Sequence, residues 1–350
     1  MPNETQRATL AIESGGTLTK PTSEKEWARK LAAYRTPKLG RSLFELGVTV
    51  LPFLAFCVVM LIGVKQGYWL SLLLIPPAAF FLVRLFLIQH DCGHGSFFKK
   101  RWANDMLGRI LGVLTVTPYK DWQRAHAKHH ANSGNLDHRG TGDIDVLTVA
   151  EYRALPLKQR LFYRLSRNAA FLLLIAPIYV FIFRQRLPND LPGDKDGWIS
   201  TLSTNLAILL LIVVIGSLVG FGPLLLVQVP VTLTASAIGL WLFYVQHQFE
   251  HTYWAWENDW KFHQAALHGS THYDLPAPIR WLTSNIGIHH VHHLVSRIPS
   301  YRLNEVLRDH PELRDMGRLT FFQSLKCFRL TLWDEQSQRL VGFRQASAPA

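Results

Sequence analysis

Four long uncharged runs dominate the pattern of apolar and polar positions along the chain. They cover about Phe44 to Val64, Tyr68 to Ile88, Thr204 to Phe221 and Pro223 to Tyr244. As helices rising about 1.5 Å per residue, each is long enough to cross a bilayer whose hydrocarbon layer is roughly 30 Å thick. A fifth run, Ala169 to Phe183, is shorter and is interrupted by Pro177, which predicts an interfacial or half-buried helix. Ala103 to Val116 is apolar at helical spacing beside a charged flank and predicts another helix lying in the interface. The fold class that follows is an all-α integral membrane protein with four transmembrane helices. Residues 1–43 are polar and basic with no apolar core of their own, so they read as a partly disordered lead-in and not as a signal peptide. Residues 44–301 read as the membrane domain and 302–350 as a polar C-terminal segment, frayed from Gln345 to Ala350.

Charge orients these elements. The chain carries 37 Lys and Arg against 25 Asp and Glu, a net charge of +12. With four spans, the side holding both termini receives eight Lys/Arg before Phe44, thirteen between His90 and Asn168, three from Arg184 to Lys195 and eleven after His247. The two short opposite loops, Gln66-Gly67 and the turn around Gly222, carry none, while Lys65 sits at a span boundary and Arg84 near the basic-side end of the second span. The positive-inside rule puts both termini and the two large loops in the cytoplasm, which in a bacterium means the inner membrane. A basic face beside anionic headgroups accounts for the charge, and a nucleic-acid partner is not needed to explain it. Three cysteines, Cys57, Cys92 and Cys327, without CxxC or regular spacing exclude a disulfide framework or zinc finger.

The chemistry lies in the histidines. His90 and His94 stand four apart in QHDCGHGSF after the second run, which on a helix puts both rings on one face. His126, His129 and His130 in RAHAKHHANSG follow an i, i+3, i+4 pattern, and His289, His292 and His293 in NIGIHHVHHL repeat it. QHQFEH after the fourth run adds His247 and His251. All these groups fall on the cytoplasmic side, so the fold is expected to carry a cytoplasmic helical cap holding a histidine-rich di-metal site. One-face spacing is what a shared metal needs. His138, His263, His268, His272 and His310 follow no shared pattern and read as ordinary polar residues, and His290 as a neighbour of the cluster. With one of His247 and His251 counted, nine imidazoles are too many for a four-coordinate zinc, but they suit two ions with four or five nitrogens each. Imidazole by itself does not choose among zinc, copper, iron and nickel.

HDCGH, HAKHH and HHVHH resemble the three histidine boxes of the membrane fatty acid desaturases. The surrounding words HDCGHGSFF, SGNLDHRGTGDID and FYVQHQFE are most similar to bacterial and plastid acyl-lipid desaturases of the delta-12 (omega-6) type, over about Phe44 to Tyr301. The resemblance implies an O2-dependent centre of two iron ions, held by His90, His94, His126, His129, His130, His247, His289, His292 and His293, that inserts a cis double bond into a lipid-linked acyl chain. His247 is preferred over His251 on the family's QHQ context. Hydroxylases, acetylenases and ketolases share the boxes. A metal transporter is the distant alternative, but it would place its ligands inside the spans and not beyond their ends. No haem motif, GxGxxG or CxxC suggests an electron-transfer domain, so a small carrier such as ferredoxin docking on the basic face is expected to supply electrons. Asp91, Asp121, Asp137, Asp143 and Glu250 are candidates to accept the histidines' outer ring protons, and Asn285 to orient a water.

Overall fold

The computed structural model describes residues 24–140, 144–188 and 194–346. Asp143 and most of the lead-in therefore lie outside the described residues. The chain divides into a short unit ending at Ala33, which contains a helix at Glu24–Leu31, and a main unit beginning at Tyr34.

The main unit is built on four helices long and apolar enough to span a bilayer: α1 (Leu39–Lys65), α2 (Ile75–Gly93, led in by a 3-10 turn at Trp69–Leu74), α5 (Lys195–Val219) and α6 (Phe221–His247). Each extends beyond its uncharged run at the polar end. Those extra turns reach into the cap: Ser42 donates to the Phe97 carbonyl at 2.7 Å, and the Lys38 amide donates to the Tyr301 hydroxyl at 2.9 Å. The second span is the most enclosed and the third the least, 44% against 11% of the apolar window being buried, so α2 is central and α5 faces lipid with Leu206, Leu209, Leu210 and Val214. Central α2 packs against α1, α6 and α3 (Arg101–Leu114).

Helix α4 (Tyr119–Asn132) follows α3, and the close approach of the two requires small residues: a Cβ on Gly108 would meet the Tyr119 ring at 2.2 Å, and one on Gly112 the Thr117 carbonyl at 2.6 Å. The fifth apolar run forms the predicted partial element. Phe171–Arg186 is a helix interrupted by π-helical turns at Phe171–Ile175 and Tyr179–Phe183 around Pro177, bent by 67° from the helix at Leu157–Ser166. The rest of the cap contains α7 (Phe262–His268), α8 (Ala277–Leu282), α9 (His289–Leu294) and α10 (Leu303–Asp309).

Two small sheets qualify the all-α expectation. β1 (Leu147–Thr148) runs parallel to β4 (Leu332–Asp334), which pairs antiparallel with β5 (Arg339–Val341), and β2 (His272–Asp274) runs parallel to β3 (Arg318–Thr320). The C-terminal segment is stitched in by these pairings. Ala346 is buried and its carbonyl accepts from the Arg153 guanidinium at 2.8 Å, so fraying does not begin at Gln345, and residues 347–350 lie outside the described residues.

A buried charge network ties the first two spans to the cap. Arg84 is 3% exposed; it pairs with Glu45, donates to the Trp281 carbonyl, donates to Thr49 Oγ1 at 2.9 Å and lies 4.2 Å from the Trp281 ring centroid. Arg41 reaches the other Glu45 oxygen at 2.6 Å. Removing one partner of a buried pair leaves the other charge uncompensated. We expect Glu45→Ala to destabilise the protein by about 3–5 kcal/mol, and Glu45→Gln by less, read as the thermal midpoint in detergent.

Candidate metal centre

The polar ends of α2, α4 and α6 and the short helix α9 bring nine imidazoles together in two groups. The first holds His90, His94, His126, His130 and His292, the second His129, His247, His289 and His293, and within each group one ring nitrogen per residue lies within 4.8 Å of all the others. All nine residues expected from the sequence are brought in. His251 stays out and is exposed, which favours His247 at that position.

The grouping corrects one expectation. Residues at i, i+3 and i+4 do share a face, but they do not all join one group. In α4, His126 and His130 join the first group and His129 the second; in α9, His289 and His293 join the second and His292 the first. Each HxxHH sequence therefore divides its adjacent pair between the groups, whose rings are in contact: His130 stacks on His293 with centroids 4.2 Å apart.

The donor set fits metal ions better than hydrogen bonds. Nε2 atoms approach at 3.3 Å (His90 and His94), 3.0 Å (His94 and His126), 3.1 Å (His126 and His130) and 3.1 Å (His130 and His292). In the second group, His247 and His293 each approach His289, at 3.1 and 3.2 Å. Nitrogens at about 2.0–2.1 Å from one ion are about 3.0 Å apart at right angles and about 3.4 Å apart in a tetrahedron, so the observed edges match a common centre. A neutral ring has one donor and one acceptor nitrogen, and a hydrogen-bonded ring of this kind would need His126 and His130 each to serve two neighbours through one atom.

Burial sets the protonation state. It holds the imidazoles of His94, His126, His130, His289, His292 and His293 well below their ordinary range, with the neighbouring rings acting in the same direction. These rings are thus neutral near pH 7, with lone pairs free for a metal.

Local structure aims the rings. The His247 Nδ1–H donates to the Gly269 carbonyl at 3.1 Å, which turns Nε2 toward the second group. The His289 amide donates to Thr271 O at 3.0 Å, and the Tyr273 amide to Gly287 O at 2.6 Å. Here a glycine is required, since a Cβ on Gly287 would stand 2.5 Å from the Tyr273 carbonyl. Tyr119 donates to the Cys92 carbonyl at 2.9 Å and Gln123 to the Gly93 carbonyl at 2.6 Å, clamping α4 to the end of α2.

Among the expected carboxylates, Asp91 lies near the site: one oxygen is 3.7 Å from His90 Nδ1 and the other accepts from the Ser300 amide at 2.8 Å. Asp121 is buried near Arg124 at 3.5 Å. Asp137 caps the Glu257 amide, Glu250 pairs with Arg339, and Asn285 bridges Ser300 and Asn304, so these three hold loops instead. His290 donates to Leu313 O at 2.8 Å and is pushed down to about 4 by burial, consistent with a structural neighbour.

Sequence reasoning missed the aromatic backing. Trp122 stacks on His126 at 4.8 Å, Phe86 meets Trp122 at 5.3 Å, and Phe243 packs against His129 and His247 at 5.2 and 5.3 Å. Phe86, Trp122 and Phe243 each stand four residues before a clustered histidine, a same-face signal present in the sequence.

The model of the family described as fatty acid desaturase matches residues 65–324, which include all nine clustered histidines. The chain belongs to the fatty acid desaturase family. It is 42% identical, over 92% of its length and 91% of the relative's, to a fatty acid desaturase of Bacillus subtilis. Similarity extends to an sn-1 oleoyl-lipid 12-desaturase of Synechocystis, 28% identical over 63% of each chain. It also extends to an sn-1 acyl-lipid omega-3 desaturase (ferredoxin) of Nostoc, 31% identical over 63% of this chain and 61% of that one. The chain thus spans less than two thirds of the length of the latter two. As a fatty acid desaturase, it is an oxidoreductase that uses O2 and an external electron donor.

Neutral buried histidines also set an acid limit. In the unfolded chain they bind protons below about pH 6.5, whereas the folded, metal-free site resists protonation, so the unfolded state gains protons that the folded state lacks. We expect the thermal midpoint of the metal-stripped desaturase to be flat above about pH 6.5 and to fall as pH drops below it, measured by a melting series from about pH 8 to pH 5.

Proposed function

We propose that this desaturase inserts a cis double bond into an acyl chain carried by a membrane lipid, with two iron ions held by His90, His94, His126, His130 and His292 on one side and His129, His247, His289 and His293 on the other. The observation that carries this reading is the convergence of five and four imidazoles at the polar ends of membrane-length helices. Imidazole accepts iron among several metals, and the membership of the fatty acid desaturase family supports iron as the one held here. When bound, the metals supply the oxidising power, drawn from O2, that removal of hydrogen from unactivated methylenes needs.

The chain's own residues prepare the site for that chemistry. An all-imidazole donor set adds no carboxylate charge to the metals, and Asp91 stands 3.7 Å from His90 Nδ1. Trp122, Phe86 and Phe243 exclude water from behind the rings. We place the active site and both termini in the cytoplasm, as the distribution of Lys and Arg supports, and assign residues 44–301 as the catalytic membrane domain, with 1–43 and 302–350 flanking it.

Electrons come from a small carrier such as ferredoxin. In support, the Nostoc relative carries ferredoxin in its name, and Lys99, Arg101 and Arg297 line a small cleft of about 80 Å³ that includes His94. Delta-12 (omega-6) placement of the double bond rests on the 12-desaturase relative and is the working assignment.

The deciding experiment expresses the protein in a host whose acyl chains are saturated and monounsaturated only, with double bonds located by mass spectrometry. A new double bond that disappears in His129→Ala, with about 100-fold or greater loss of product, is the expected outcome. A hydroxylated or ketone product would reassign the reaction on the same site, and no product from a protein carrying two irons would overturn the reading.

A further inference from the structure

Beyond the metal centre, the least regular part of the fold lies against the last span. The helix Leu157–Ser166 exposes Leu157, Leu161, Phe162 and Leu165 while carrying Lys158, Arg160 and Arg164, the composition of a helix lying in the headgroup layer. The chain then bends by 67° into Phe171–Arg186. At 16 residues this segment reaches about 24 Å and falls short of the hydrocarbon core. Two π-helical turns and Pro177 break its hydrogen-bond ladder, the kind of irregularity that marks functional positions in helices.

Between this broken segment and α6 lies an apolar cleft of about 260 Å³, walled by Leu172, Leu173 and Ala176 on one side and by Leu240, Trp241 and Phe243 on the other. Its inner wall is functional: the Phe243 ring is the one that packs on His129 and His247. Leu174 and Ile175, on the same π turn, face outward and are exposed, as a lipid-facing surface would be. Arg167 and Asp145 also line the cleft. The Arg167 guanidinium lies 4.8 Å from the Tyr163 ring centroid, and no carboxylate among the described residues forms an ion pair with it.

We propose that this cleft is the lateral access route by which one tail of a membrane glycerophospholipid reaches the metal centre, its phosphate held at Arg167 and its methylenes running along Trp241 to Phe243. The inference rests on the desaturase reading and deepens it by naming the route by which the lipid tail enters and the side chain that holds its headgroup. A soluble thioester would need access from the aqueous side, whereas the cleft opens between two apolar elements, with the Arg167 cation and the Asp145 carboxylate in its lining. Phe243 is then a positioning residue, setting which carbons stop beside the second histidine group.

The test uses the full-length protein, with its metals, in phospholipid nanodiscs doped with a phosphatidylethanolamine bearing a diazirine in one tail. After irradiation, adducts mapped by mass spectrometry are expected to concentrate on Leu172, Leu173, Trp241 and Phe243. Filling the cleft with Ala176→Trp should lower that labelling about tenfold with iron content unchanged, and Leu172→Phe should give a smaller loss should the larger side chain disturb folding. Arg167→Glu should weaken labelling by the phospholipid but not by a diazirine diacylglycerol, which lacks the phosphate. Phe243→Ala should move the double bond along the chain. Labelling spread evenly over the exposed spans, labelling indifferent to both cleft-filling variants, or preferential labelling by a diazirine acyl thioester would overturn the proposal. A wild-type protein that labels in the cleft yet makes no double bond would instead sink the desaturation of lipid tails and leave the binding route standing.

Discussion

Everything in this fold depends on keeping nine imidazoles close together and largely sheltered from water. Taking even one cation out of water is expensive, and several side by side would repel, so the site is tolerable only while the rings are neutral and their lone pairs have a common acceptor. The rest of the molecule supplies that condition. Spans α2 and α6 carry histidines at their polar ends, α4 is clamped to α2 through Tyr119 and Gln123, and α9 is hung from Thr271 by its first amides. The aromatic backing keeps water from restoring the charged form.

A second requirement is that soluble-type loops be held rigidly above a bilayer. Two devices do this. One is the Arg84–Glu45 network, a charge pair that reaches from two spans to the carbonyl of Trp281 in the cap. The other is the pair of small parallel registers, Leu147 against Leu332 and His272 against Arg318, which fasten the C-terminal segment to distant parts of the cap. A long cap built from helices of six or seven residues needs such cross-ties, because short helices contribute little stability of their own.

Much of this was legible in the sequence because the strongest signals are local. A span declares itself by uncharged length and a histidine box by helical spacing, so four spans and eight of the nine clustered residues follow from position, while the choice of His247 over His251 needed the family resemblance. What stayed hidden depends on contacts distant in sequence. Nothing within β1 announces that Leu147 will lie beside Leu332, and nothing near Asp137 or Glu250 tells that Glu257 and Arg339 will engage them. The division of each HxxHH between two groups was also out of reach, since one face of one helix is compatible with one ion or two until the opposing helix is in place.

That division has a consequence of its own. Residues 129 and 130 are joined by one peptide bond and serve different groups, as are 292 and 293, with the roles exchanged between the two helices. With one ion in each group, as proposed, a helix that settles on one would carry a ligand for the other into position at the same moment. The two binding events share their ordering entropy, so occupancy should be close to all or none, with the singly loaded protein a minor species.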